Sequence, residues 1–213
     1  MQSRESKPRA ETAEQILDLA ETLIQTRGYS AFSYQDIALA LGIRKASIHY
    51  HFASKTALGI ALVDRYVARF AAGLEAIAAD ESRTAMAMLD FYAAPYLDFA
   101  RRDDDRICLC GALAGEMMAL PRELRKRVDR FFQSHQAWLA AILERGVRRG
   151  EFTLAAPALK TARLVFGALQ GALLVKRTTG DIAQLRDVVD ALKAQLTREP
   201  AGSLAGPRRA RTS

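Results

Sequence analysis

Cysteine, proline and tryptophan are scarce: 213 residues hold two, six and one of them. Two cysteines make no disulfide framework, which points to a reducing, cytoplasmic setting and to stability drawn from burial. There is no run of about 18 apolar residues, so no membrane span and no membrane partner is expected. Residues Met1 to Arg9 are polar and mixed in charge, and read as a flexible arm rather than a signal peptide. Also missing are a serine-nucleophile motif, a glycine-rich phosphate loop, an HExxH helix and a CxxC pair. No catalytic residue, metal ligand or cofactor is therefore assigned, and an enzyme is the poorest reading. Neither strand alternation nor an internal repeat appears.

What is present suits a packed all-helical protein. Half the residues are hydrophobic and the formal charge is +7, which permits a nucleic-acid partner without requiring one. Part of that excess lies in Arg208, Arg209 and Arg211, within a stretch 199–213 that has lost periodicity and reads as a disordered basic tail. Apolar residues at i, i+3 and i+4 mark a first helix from about Ala10 to Thr26, ending at Gly28. A long helix starts at the N-cap Ser54 and runs to about Ala79, and is the only continuous link between the N-terminal region and the remaining helices. Those further helices are expected over 83–101, 106–118, 122–149, 158–176 and 182–196, about nine in all, with Pro95 kinking the first of these. The expected domains are 10–56 and 57–198.

Between the first and the long helix lie two short ones. Ser33 caps the first, Asp36 favours its N-terminal dipole, Ile37, Ala38 and Leu41 form its inner face, and Gly42 ends it. The second restarts near Lys45 with Ile48 and Phe52 inward. This is a helix-turn-helix pattern, whose second helix enters the DNA major groove. Its outward Lys45, Ala46, Ser47, His49, Tyr50 and His51 offer hydrogen-bonding and basic groups, and Lys45 and Lys55 would meet phosphates or guanine edges. The competing reading is an ordinary helical hairpin with a wet polar face.

The surroundings of the motif bear on that choice. Ala13 to Leu58, with the turn Arg27-Gly28-Tyr29 and the run Ile48-His49-Tyr50-His51-Phe52 followed by Ser54-Lys55, resembles the N-terminal domain of TetR-family bacterial transcriptional regulators. Arg44 stands where that family has a small capping residue, and His49 where tyrosine is common. Arg44 would then add a base or phosphate contact, and Ser33 also falls among the DNA-binding positions. The resemblance implies a dimer on a palindromic operator, repression, and release by an unknown small-molecule effector held in the helical body. Effector-pocket candidates are Phe99, Cys108, Met117, Phe131, His135, Trp138, Phe166 and Gln170. His135, among aromatic residues, suits a core or pocket position better than a catalytic one.

Two body features leave alternatives open. Leu164, Gly167, Ala168, Gly171 and Leu174 repeat on one helical face, with Val188, Leu192 and Leu196 on the next helix. These make a four-helix dimer interface or pack only within one chain. Cys108 to Pro121 resembles a NemR-type subgroup of the family in which a thiol at this helix start senses electrophiles. Cys108 and Cys110 are also well explained as small buried hydrophobes. A regulator without an effector, held to DNA mainly by its basic tail, is a further rival.

Overall fold

The computed structural model describes residues 9–101 and 105–197. The expected arm, most of the Asp103 to Asp105 run and the basic tail lie outside the described residues. All regular structure among the described residues is helical. The head comprises α1 (Arg9–Arg27), α2 (Tyr34–Leu41), α3 (Lys45–His51) and the first turns of α4 (Lys55–Ala79). The body adds α5 (Ala85–Arg101), α6 (Leu109–Gly115), a short 3-10 turn (Met117–Ala119), α7 (Arg122–Arg148), α8 (Ala158–Thr179) and α9 (Ile182–Thr197).

Local chemistry sets these ends. Ser33 and Asp36 form a reciprocal capping box at α2, and Gly42 closes it in the left-handed region (φ 64°). The Ser54 side chain accepts from the Ala57 amide to start α4. Two expected helices shift. The helix expected over 106–118 begins only at Leu109, because Ile107 is buried outside the helix with its N–H donating to the Gln25 carbonyl of α1. The helix expected to stop at 176 runs to Thr179, where Gly180 caps it with positive φ. Pro95 sits inside α5.

The helix α4 runs continuously from head to body. In α4, Leu58, Leu62, Val63 and Tyr66 are buried, and Gly59 lets the helix approach Leu124 and Tyr29 closely. A Cβ at Gly59 would lie 3.1 Å from Leu124 and 3.2 Å from Tyr29. Arg65 bridges to Glu14, Asp18 and Glu21 of α1 at 2.7, 2.8 and 3.0 Å, and Arg69 also grips Glu21. Arg127 of α7 pairs with Asp64 from the other side. Apolar burial supplies the adhesion, and these partly exposed pairs fix the orientation of α4.

By length and mean hydropathy α8 is, among the described residues, the one helix able to cross a bilayer. It lacks an uninterrupted apolar run, carries Arg163, and packs against α5, α7 and α9.

Candidate nucleic-acid interface and effector pocket

The head presents a defined surface. Ile48 and Phe52 are buried under α3, with Ala38 of α2 close enough for the corner to form, and the Ile43 amide donates to the Ala38 carbonyl at 3.0 Å. That anchoring turns Arg44, Lys45, Ala46, His49 and Tyr50 to solvent and leaves Ser47 and His51 half-buried. Tyr50 is 63% exposed and meets the His51 ring edge-on at 5.3 Å. Arg44 occupies the N-cap position of α3 but makes no side-chain capping bond, as expected of a residue that replaces a small capper. His49 leans on Tyr34, with ring centres 4.8 Å apart. Burial, with some help from Tyr29, pushes the Tyr34 phenol up to about 12, and its hydroxyl donates to the Phe52 carbonyl.

Two expected DNA contacts are occupied within the head. The Lys55 amine donates to the Phe32 carbonyl and lies over the Tyr29 and Phe32 rings, 4.7 and 4.3 Å from their centres. These contacts direct the cation onto the turn in this arrangement, and burial there lowers its pKa. The Ser33 hydroxyl donates to Asp36 and accepts from the Gln35 amide. The Asp36 carboxyl is held below its usual range chiefly by the Ser33 hydroxyl, then by the Ser33 amide. Sequence reasoning passed over Leu39, 72% exposed on α2. It stands outside the spacing of Ile37, Ala38 and Leu41, which was the available signal.

The body holds a small aromatic cavity of about 30 Å³, lined by Tyr66, Phe70, Leu74, Phe91, Tyr92, Pro95, Tyr96, Phe99, Cys108, Phe131 and His135. It gathers four of the expected pocket residues: Phe99, Cys108, Phe131 and His135. Phe166 and Gln170 line a different, open cleft. Trp138 stands behind the wall, stacked on Tyr92 with ring centres 5.5 Å apart and donating to the Leu74 carbonyl, and Met117 packs on the core. The candidate pocket residues thus fall on two separate spaces and the packing around them. The faces of α5 and α7 that make the first were not separable from plain core by spacing alone.

The imidazole and phenol groups that line this cavity are neutral near pH 7. Burial drives the His135 imidazole down to about 4, and its Nδ1 lies 2.9 Å from the Tyr92 hydroxyl. Burial raises the Tyr66, Tyr92 and Tyr96 phenols. The Tyr66 hydroxyl donates to the Cys108 sulfur at 3.6 Å, and the Tyr96 hydroxyl accepts from Gln170. Cys108 and Cys110 are both free thiols and both buried, and burial pushes the Cys110 thiol well up. The cavity volume suits about two waters, far below the roughly 300–1,000 Å³ of small-ligand sites. A ligand must therefore part the rings to enter. Among the described residues no cluster of His, Cys, Asp and Glu could hold a metal.

On α8, Leu164 and Leu174 are 54% and 49% exposed, and Gly167 and Gly171 lie open between them. Ala168 is half-buried. Val188 and Leu192 of α9 are half-buried on their own chain's core, so the stripe expected on both helices is clearest on α8.

The pattern described as "Bacterial regulatory proteins, tetR family" matches residues 16–62, and "Tetracyclin repressor-like, C-terminal domain" matches 85–192. The chain belongs to the TetR family. It is similar to an uncharacterised HTH-type transcriptional regulator of Lactococcus lactis, 30% identical over 88% of this chain and 94% of that one. It also resembles the transcriptional repressor NemR of Escherichia coli, 23% identical over 86% of this chain and 92% of the repressor. Among solved structures, a TetR-family regulator from Agrobacterium tumefaciens superposes with a TM-score of 0.85, at 33% identity, over 90% of this chain and all of that one. This TetR-family member is thus a DNA-binding transcriptional regulator with a helical body of the ligand-binding type.

Proposed function

We propose that this TetR-family chain is a homodimeric repressor that binds a palindromic operator and leaves it when a small molecule enters the body. It acts by binding rather than by catalysis. The observation that carries the reading is the exposed face of α3. Lys45 and Tyr50 are exposed and Ser47 half-buried above the buried Ile48 and Phe52, which supports reading this face as the one a recognition helix turns to base edges. A dimer through the open α8 stripe would supply two heads, matched to major grooves about 34–36 Å apart. An effector that parts the aromatic cavity displaces α5 and α7 against α4, whose first turns belong to the head. It shifts the equilibrium only so far as it binds the two arrangements unequally. Because the lining is largely aromatic and its imidazole and phenol groups are neutral, an uncharged, largely apolar effector fits this cavity best.

The test is a titration of an inverted-repeat duplex from the region upstream of the protein's own gene, at several salt concentrations. Binding should exceed that to a scrambled duplex by about a thousandfold or more, and both affinities should weaken as salt rises. Weak binding without preference contradicts the proposal. A covalent reading is favoured by one observation, the Cys108 thiol in the cavity wall. Mass spectrometry after mild electrophile treatment decides it, since an unmodified Cys108 removes it.

A further inference from the structure

The open cleft lies between the end of α1, α6, α7 and α8, where head and body meet, and has a volume of about 540 Å³. That is within the range of small-ligand sites, unlike the nearly filled aromatic cavity. Its apolar lining includes Ile107, Phe132, Phe166 and Leu174, with Phe132 and Phe166 edge-to-face at 5.2 Å. Its charge is uneven. Arg27 and Arg177 line it together with one carboxylate, Glu116, and that carboxylate is already engaged. Glu116 accepts from the Tyr29 and Ser30 amides at 2.5 and 2.9 Å. Burial raises the Glu116 pKa, but these bonds and the Lys55 charge outweigh it and hold the group ionised. Arg177 spends its guanidinium on a neutral acceptor, the Thr26 carbonyl in the last turn of α1.

We propose that this cleft is a second ligand site, which takes an amphipathic carboxylate. The head group lies on Arg27 and Arg177, and the apolar part lies over Phe132 and Phe166. A carboxylate offers Arg177 a charge-assisted, two-pronged partner in place of a single carbonyl. Accepting it withdraws the guanidinium from Thr26 and uncaps the end of α1. The ligand then discriminates between two positions of the head, which is the condition for coupling to DNA. Leu174 belongs both to this cleft and to the open α8 stripe, so a partner chain on that stripe narrows the mouth from one side. The effect on DNA rests on the reading of the head given above, whereas binding itself does not.

Calorimetric titration of the full chain without DNA tests the site, with decanoate as probe and decanol as its uncharged counterpart. Decanoate should bind at least about tenfold more tightly than decanol, and Arg177→Gln and Arg27→Gln should each weaken it about tenfold. Arg177→Lys should retain part of the affinity, and circular dichroism should show all three variants folded. Equal affinity for decanoate and decanol overturns the site, as does no measurable decanoate binding. So does binding that survives both glutamine variants but is lost in Phe131→Ala, which would place the ligand in the aromatic cavity. No DNA enters this measurement, so its outcome is separate from that of the operator titration.

Discussion

The turns that bracket the recognition helix and the middle of the body are closed by different means. In the head, α2 starts on the Ser33–Asp36 box and stops at Gly42, α4 starts on Ser54, and the turn between α1 and α2 hangs on Glu116. In the body, α6, α7 and α8 begin at Cys108, Pro121 and Pro157 without a side-chain capping bond, and rings surround a gap between α4, α5 and α7. Directional bonds hold one shape, whereas a ring cluster around a small gap can repack around a guest. The difference suits a rigid reader joined to an adaptable receiver.

Truncating one buried side chain on each side should separate them most. Phe131→Ala should cost about 3–5 kcal/mol and Ile48→Ala about 2–5 kcal/mol, read by thermal or urea denaturation. Adding indole should restore part of the loss in Phe131→Ala, because a guest stabilises the state that binds it, and none in Ile48→Ala. Rescue of neither, or of both, would break the contrast.

Acid should reach the body first. His135 has a folded pKa of about 4 against an ordinary 6.5, so below 6.5 the unfolded chain takes a proton that the folded chain refuses. Stability should therefore fall as pH drops from about 6.5 to about 4, and His135→Gln should flatten that part of a melting-temperature profile. Asp36 and Glu116 are shifted the other way, below their usual range. Their contribution is complete above the ordinary carboxylate pKa and is lost only as pH falls through their lower folded values.

The smallest effect should come from the cap. Ser33→Ala should cost about 1 kcal/mol, lowering the melting temperature by about 2–4 °C and loosening α2 in hydrogen exchange.

The same contrast decided what could be read from the chain alone. Ser33, Gly42 and Ser54 carry their roles in their side chains or in their lack of one, so the helices of the head were legible one by one. Ile48 and Phe52 came from spacing. Lys55 did not, because its engagement by Phe32 and two rings depends on a turn folded from residues more than twenty positions away. In the body, aromatic residues on α5, α7 and α8 face core, cavity and cleft with the same periodicity. Phe131 and Phe166 therefore looked alike, although one lines the closed cavity and the other the open cleft. The late start of α6 was hidden for a similar reason, since the Gln25 carbonyl that takes the Ile107 N–H is remote in sequence.

The central claim is that the outward face of α3 reads base sequence. Fluorescence-anisotropy titration of one operator duplex and one scrambled duplex, at fixed salt, with wild type, Ser47→Ala and Tyr50→Ala, tests it most directly. At least one substitution should reduce the operator-to-scrambled affinity ratio by about tenfold, with binding to the scrambled duplex little changed. An unchanged ratio in both variants would contradict the account.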